Sequence, residues 1–357
     1  MSDSLIANDV DLASDSLQQC APDAICASSP ARKDARPNAD APTAPCVTVV
    51  VAAYNAERFI QETLASVFGQ DLENIELIVV DDGSTDATPE ILAAVTDCRL
   101  AVIRQKNAGV SAARNAGLAA ARAPYIFFLD ADDILMPDAL RRMVATLDRM
   151  PQHVACFAHH LRIAEDGTLL STGTDLRWKL FPASDTLRHL VAKNFIVCGA
   201  ICIRTDAARA VEGFNPTLKL GEDWEFWCRL AVLGDFAAMP DHVALQYRQR
   251  FASANYRLRK TPLRQNFEAI EAVFCNPAIR RKFTPAELKH RRRLAEIDAF
   301  WAGARNEYVR NRAFSFLGHV IVGALWYPDS VLRPRLVYLF VRGLLQHLRQ
   351  PQPARGS

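Results

Sequence analysis

From residue 47 onward the apolar positions fall into short dense runs, each followed by a stretch where they recur at helical spacing. Val47-Thr48-Val49-Val50-Val51 is apolar nearly throughout, as suits a parallel strand buried on both faces. Asn55 to Phe68 carries Phe59, Ile60, Leu64, Val67 and Phe68 on one helical stripe. Glu76–Val80 is a second strand, Leu100–Ile103 a third and Tyr125–Leu129 a fourth. Helices are predicted from Pro89, over the Ala-rich Val110–Arg122, and from Pro137 to Met150. This alternation predicts an α/β doubly wound sheet. Ligands of such sheets sit at the carboxyl ends of the strands. The polar clusters fall there: Tyr54-Asn55, Asp81-Asp82-Gly83-Ser84, and Asp130-Ala131-Asp132-Asp133.

Beyond residue 150 the pattern is less regular. Short strands are predicted near 154–163 and 196–204, and a helix over Trp224–Leu233. Residues 263–310 read as charged helix, and Phe314–Tyr327 and Val331–Leu348 as apolar helical stretches. Residues 1–45 are rich in Ala, Asp, Ser and Pro and read as a disordered leader. The chain is thus divided into a leader (1–45), a catalytic α/β domain (46–255) and a helical C-terminal region (256–357).

Composition narrows the classes. The 357 residues are half apolar, with a net charge of +2. That balance argues against a nucleic-acid binder, and the run Arg291-Arg292-Arg293 reads as a solvated helix face. The charge is uneven, about −11 over residues 1–240 and +13 over 241–357. An acidic front half suits a metal and its substrates, and a basic back half suits an anionic surface or a phosphorylated acceptor. Nine cysteines without a CxxC pair read as small fillers in a reducing cytoplasm. The start has neither basic n-region nor apolar h-region, and no apolar run is long enough to predict a transmembrane helix. No P-loop and no G-x-G-x-x-G occurs, which weakens ATPase and NAD(P) readings.

The strand-end residues carry the candidate chemistry. Asp130 and Asp132, two apart after a buried strand, can hold Mg²⁺ or Mn²⁺ and the diphosphate that the cation bridges. Asp81 and Asp82 can accept from a nucleobase imide or a ribose hydroxyl, while Ser84, Thr85 or Asp86 caps the next helix. Glu222 and Asp223 open an aromatic-rich helix, where they either cap it or deprotonate an acceptor hydroxyl. Arg114 either reaches a phosphate or forms a salt bridge.

Taken in order, VVVAAYN (49–55), VVDDGSTD (79–86), NAGVSAARNAG (107–117) with YIFFLDADD (125–133), and GEDWEFW (221–227) resemble the family 2 glycosyltransferases. The resemblance runs from about Val47 to Ser253. It implies a GT-A fold and inverting transfer from a nucleotide sugar, with a UDP-, dTDP- or GDP-linked donor. It implies that Ala53, Tyr54 and Asn55 line the nucleotide pocket and that Asp82, with Asp81 beside it, contacts the base or ribose. By the same resemblance Asp132 is the direct metal ligand, Asp223 the base with Glu222 in reserve, and Gly199-Ala200 the acceptor side. Two departures stand out. Ala53 replaces the family's usual Pro, and Arg250 stands where a His is common, so a diphosphate contact through Arg250 replaces a His metal ligand.

The implied acceptor is a glycan or lipid-linked hydroxyl in cell-surface polysaccharide or lipopolysaccharide assembly, and the implied location cytoplasmic. Aromatic residues alternating with arginines between Trp301 and Arg342 fit either an interfacial membrane contact or a helical subdomain packed on the core. Two other classes compete. A sugar-phosphate nucleotidyltransferase is disfavoured by the loop Ala52–Ala56, which lacks glycine and basic side chains. A catalytically inactive membrane- or partner-binding relative is disfavoured by the intact carboxylates.

Overall fold

The structure is a computed structural model. It describes residues 44–170, 185–250, 264–309, 318, 321–323 and 325–327. The leader to residue 43, most of the two apolar C-terminal stretches, and a domain boundary near 255 lie outside these residues.

The alternation read from the sequence is present. Strand β1 (Val47–Ala53) leads to α1 (Ile60–Phe68), β2 (Ile75–Asp81), α2 (Thr88–Ala93), β3 (Leu100–Arg104), α3 (Val110–Ala120) and β4 (Tyr125–Asp130). There follow β5 (Ile134–Leu135), α4 (Ala139–Arg149), β6 (Ala155–Ile163), α5 (Thr186–Leu190), β7 (Ile201–Arg204), α6 (Thr205–Ala210), α7 (Glu222–Leu233) and β8 (Phe236–Arg248). One sheet runs in the order β3-β2-β1-β4-β7-β6-β8-β5. Its first four strands are parallel, and β7 pairs antiparallel with both β4 and β6. The doubly wound expectation therefore holds for half the sheet, and the other half is mixed.

Both faces of β1, β2 and β4 are covered, which is why these strands read as unbroken apolar runs, whereas the edge strand β3 is largely exposed. Val49, Val51, Phe127 and Leu129 pack with Ile60, Leu64, Leu140 and Met143 of α1 and α4. Val50, Ile126 and Phe128 point the other way, to Phe214 and to Phe226 and Trp227 of α7. Phe214 lies edge-on to Phe128, with ring centroids 4.8 Å apart.

The sequence reading missed β8, a strand of 13 residues. Pro240 and Asp241 in its middle demote it by pattern. It pairs parallel with β6 across register shifts around His159, and that irregularity accommodates the break. The expected helix from Asn55 begins only at Ile60. The expected helix over 263–310 is three: Arg264–Cys275, Pro277–Arg280 and Pro285–Val309. Asn276 interrupts it by accepting from the amides of Ala278 and Ile279, at 2.9 and 3.2 Å.

These last helices pack on the core. Ile270, Val273, Phe274, Ile279, Phe283 and Ala295 join the cluster that contains Phe226 and Trp227. Trp301 and Tyr327 are buried around Phe300, whereas Ile321, Leu325 and Trp326 are exposed. Where it is described, the C-terminal region is therefore a packed helical layer. No helix among the described residues is long and apolar enough to cross a membrane.

Candidate active site

The parallel strands end in step. Ala53 lies beside Asp81, Asp81 beside Arg104, and Ala52 beside Asp130. The three polar clusters thus share one edge of the sheet, as strand-end placement predicts.

At the end of β1, Ala53 is core, while Tyr54 is half exposed. Asn55 adopts a left-handed φ of 49°, which Asn tolerates better than most residues. Its amide donates to Ser84 Oγ at 3.0 Å, and its Oδ1 accepts from the Thr85 amide at 2.8 Å. Asn55 therefore fastens the loop after β2 to the loop after β1, and Tyr54 is the member of the expected trio with a free aromatic surface.

At the end of β2, Asp81 is buried. Its Oδ1 accepts from the Ser84 amide at 2.9 Å, and its Oδ2 faces Arg104 Nε at 3.4 Å. Asp82, which the resemblance assigns to the base or ribose, has both oxygens occupied from within the chain. Oδ1 accepts from Gln105 Nε2 at 2.8 Å and the Ala108 amide at 2.9 Å, and Oδ2 from the Gly109 amide at 2.8 Å. The carboxylate fixes the 105–109 loop ahead of α3. Gly83 makes this possible, since a Cβ there would lie 2.9 Å from the Asn107 nitrogen.

At the end of β4, Asp130 and Asp132 each meet an arginine. Asp130 Oδ1 is 2.6 Å from Arg114 Nη2, and Asp132 Oδ2 is 2.5 Å from Arg250 Nε. Burial pushes the Asp132 carboxyl up, against Arg250 and with the help of Asp130. Asp133 is fully buried. Its Oδ1 accepts from the Arg248 amide at 2.8 Å, and its Oδ2 has no partner. Burial, then Asp132 and Asp130, push its carboxyl well up.

Sequence reasoning did not single out Arg248, two residues before Arg250. Its Nε donates to the Asp132 carbonyl at 2.8 Å, its Nη1 to the Glu165 carbonyl at 3.0 Å, and its Nη2 to Glu62 at 2.6 Å. Arg248 and Arg250 both lie over the Phe59 ring, at 4.9 and 5.2 Å. The end of β8 thereby holds the Asp132 loop, a role that was illegible while β8 itself was unseen.

The fourth block stands opposite. Gly221 caps α7 with φ 75°, and a Cβ there would lie 2.9 Å from Ala269 Cβ. The next two residues, Glu222 and Asp223, sit in the positive first turn. Asp223 Oδ2 accepts from Asn194 Nδ2 at 3.3 Å, and its Oδ1 from the Trp224 amide at 2.7 Å. Burial, then the neighbouring Glu222, push its carboxyl up to about 7, with Arg114 opposing. A carboxyl near neutrality can accept a proton at physiological pH. Asn194 carried no sequence signal.

Arg114 joins the two sides. Sequence alone left it a phosphate or a salt bridge; in the structure it is buried, with Nη1 3.1 Å from Glu222 Oε1 and Nη2 on Asp130. Gly199, with φ 88°, and Ala200 lie below, next to Cys198.

Among the described residues no group of three or more His, Cys, Asp or Glu side chains is arranged to hold a metal. Asp130 and Asp132 nevertheless suit Mg²⁺ or Mn²⁺, which take one or two carboxylates and complete their shell with phosphate oxygens and water.

The chain is similar to known glycosyltransferases. The family model described as Glycosyl transferase family 2 matches residues 48–210. An uncharacterized glycosyltransferase of Haemophilus influenzae is 31% identical over 207 residues, 55% of this chain and 64% of its own length. Chondroitin synthase of Escherichia coli is 29% identical over 198 residues, 54% of this chain and 27% of its own length. The chain therefore spans less than two thirds of either relative. A mannosyltransferase from Pyrobaculum calidifontis, solved with GDP-Man and Mn²⁺, superposes with a TM-score of 0.54 at 20% identity, covering 87% of this chain and 89% of that one. The fold is GT-A, and residues 48–210 of this chain match the model of glycosyl transferase family 2.

Proposed function

We propose that this chain transfers a sugar from a nucleoside diphosphate sugar to a hydroxyl of a growing glycan, with inversion at the anomeric carbon. The observation that carries this reading is the pair of carboxylate groups on opposite sides of Arg114. Asp130 stands at a strand end suited to a diphosphate, and Glu222 opens α7 beside Asp223, the carboxyl that burial raises to about 7.

The donor lies along the shared strand edge, its base against the Tyr54 ring and the loop that Asn55 and Asp82 fasten. Arg250 moves from Asp132 to the diphosphate, for which its planar fork is suited. Asp130 and Asp132 would hold the cation, which would supply positive charge against the departing diphosphate. Asp223 takes the proton of the acceptor hydroxyl as that oxygen attacks the anomeric carbon and the sugar–phosphate bond breaks. Asn194 orients Asp223 by its hydrogen bond. Support for donor and cation comes from the structural neighbour's GDP-Man and Mn²⁺, and for a polysaccharide acceptor from the chondroitin synthase relative. The basic C-terminal half and the exposed Ile321, Leu325 and Trp326 favour a lipid-linked acceptor met at a cytoplasmic membrane surface. Failure to sediment with anionic vesicles at low salt would remove that last element.

The test of the whole reading is nucleoside diphosphate release from UDP-, GDP- and dTDP-sugars by wild-type protein and by Asp223→Asn. Loss of the base lowers kcat about 10²- to 10⁴-fold at saturating donor. Near-native turnover in the variant would refute the assignment.

A further inference from the structure

Arg114 occupies a place that a phosphate-gripping side chain would not need. It sits on α3, one residue before Asn115, and both residues are anchored in the same corner. Asn115 Nδ2 donates to the Phe214 carbonyl at 2.8 Å, and its Oδ1 accepts from the Phe214 amide at 2.7 Å. The Phe214 ring then lies under the Arg114 guanidinium, 5.1 Å from its centre. Gly213 lets the chain come this close, since a Cβ there would lie 2.4 Å from Asn115 Oδ1. Below, α3 is pressed onto β1, where a Cβ on Gly117 would lie 2.2 Å from Val50 Cγ1. The guanidinium is thus fixed by packing before any carboxylate reaches it.

The two ion pairs then link elements that are far apart in sequence. Asp130 ends β4, Glu222 opens α7, and each takes a different terminal nitrogen of the fork. Nε is buried and has no hydrogen-bond partner. The bridging nitrogens therefore account for every hydrogen bond that the buried head makes. Lysine, a single point charge, cannot reproduce a fork between two carboxylates.

We infer that Arg114 is a positioning residue that ties the donor-end carboxylate Asp130 to Glu222 and neutralises Glu222, leaving Asp223 as the carboxylate that receives the acceptor proton. This rests on the transfer reading above. Among the described residues, the groups that face Asp223 are Glu222 and Cys228 on its own helix, Arg114 from α3, Asp130 from β4, and Cys198 from the turn before β7. Asn194 supplies the hydrogen bond to its Oδ2. Both cysteine thiols are pushed well up by burial and stay neutral. Arg114 is then the single cation in the group. Without it Glu222 is an uncompensated neighbour of the base, and Asp223 holds its proton to higher pH.

The experiment compares wild type, Arg114→Met and the double variant Arg114→Met/Glu222→Gln. Nucleoside diphosphate release is followed from pH 5 to 9 with whichever of UDP-glucose, GDP-mannose or dTDP-rhamnose the wild type cleaves. In Arg114→Met the acidic limb of the kcat profile moves up by about one pH unit, and in the double variant it returns toward wild type. Donor KM changes less than about threefold in both, because no donor contact is lost. An unmoved limb with donor KM raised more than about tenfold would overturn the inference and make Arg114 a phosphate ligand. A limb that stays displaced in the double variant would overturn it too, because Glu222 would then not be the group Arg114 neutralises. If Arg114→Met does not fold, the same comparison uses the uncharged Arg114→Gln and Arg114→Gln/Glu222→Gln. A second readout needs no turnover. The melting temperature of Arg114→Met falls more steeply with rising pH than that of wild type, and Glu222→Gln removes the excess slope. A wild type that cleaves no donor while this slope behaves as stated sinks the transfer reading and leaves the clamp standing. Equal slopes in all three proteins sink the clamp.

Discussion

Asp223 gathers the requirements of a base in one side chain: partial burial, an oriented oxygen and proton affinity near neutrality. Its carboxyl, raised to about 7 by burial and by Glu222, must be ionised to accept a proton. Turnover therefore rises with pH through about 7, and a pH–rate profile measures that limb. Linkage gives a second consequence. The folded-state value lies above that of an unfolded carboxylate, so the fold holds this proton more tightly. The group's contribution to stability is complete at low pH and is lost as pH rises from the ordinary carboxylate range through about 7. Asp223→Asn, which cannot ionise, melts above wild type at pH 8 and not at pH 4 in thermal scans. A variant that loses turnover while gaining stability is the signature expected of a residue held there for chemistry.

At the scale of elements, β1, β2 and β4 were legible because each is buried on both faces and reads as an unbroken run. The carboxylates at the strand ends were legible for the same reason, since Asp81 and Asp130 interrupt those runs where the chain leaves the core. Three things were not. Strand β8 carries Pro240 and Asp241 in its middle and shifts register against β6, so it has no clean period. With it went Arg248, whose contacts exist only because β8 returns to the Asp132 loop. The partners of Asp82 and Arg114 were also hidden, because they depend on loop and helix placement that no local pattern encodes. The close contact of α3 with β1 gives a test. Gly117→Ala gains about 1 kcal/mol in helix propensity. It also places a Cβ 2.2 Å from a methyl of the fully buried Val50, and overpacking of this kind costs about 1–3 kcal/mol. The clash wins, and chemical denaturation shows a less stable variant.

For the whole molecule, the described C-terminal helices complete the core around α7 as well as adding basic surface. Ending the chain after residue 263 strips Ile270, Val273, Phe274, Phe283 and Ala295 from the cluster around Phe226 and Trp227. Fully burying side chains of this size is worth about 1.5–3 kcal/mol each for the larger ones, comparable in sum with the whole stability of a domain. The truncated protein is therefore expected to be insoluble or to melt far below wild type, as expression and thermal scanning would show. The central claim is that the aligned strand ends form a nucleotide-sugar site. Its most direct test is the melting temperature of the full chain against UDP-, GDP- and dTDP-sugars, with and without Mn²⁺. A ligand that binds the folded state alone must raise it. The account predicts a rise with one nucleotide class, larger with Mn²⁺ and reduced in Asp132→Asn. No rise with any donor well above about millimolar concentration, with or without the cation, would contradict it.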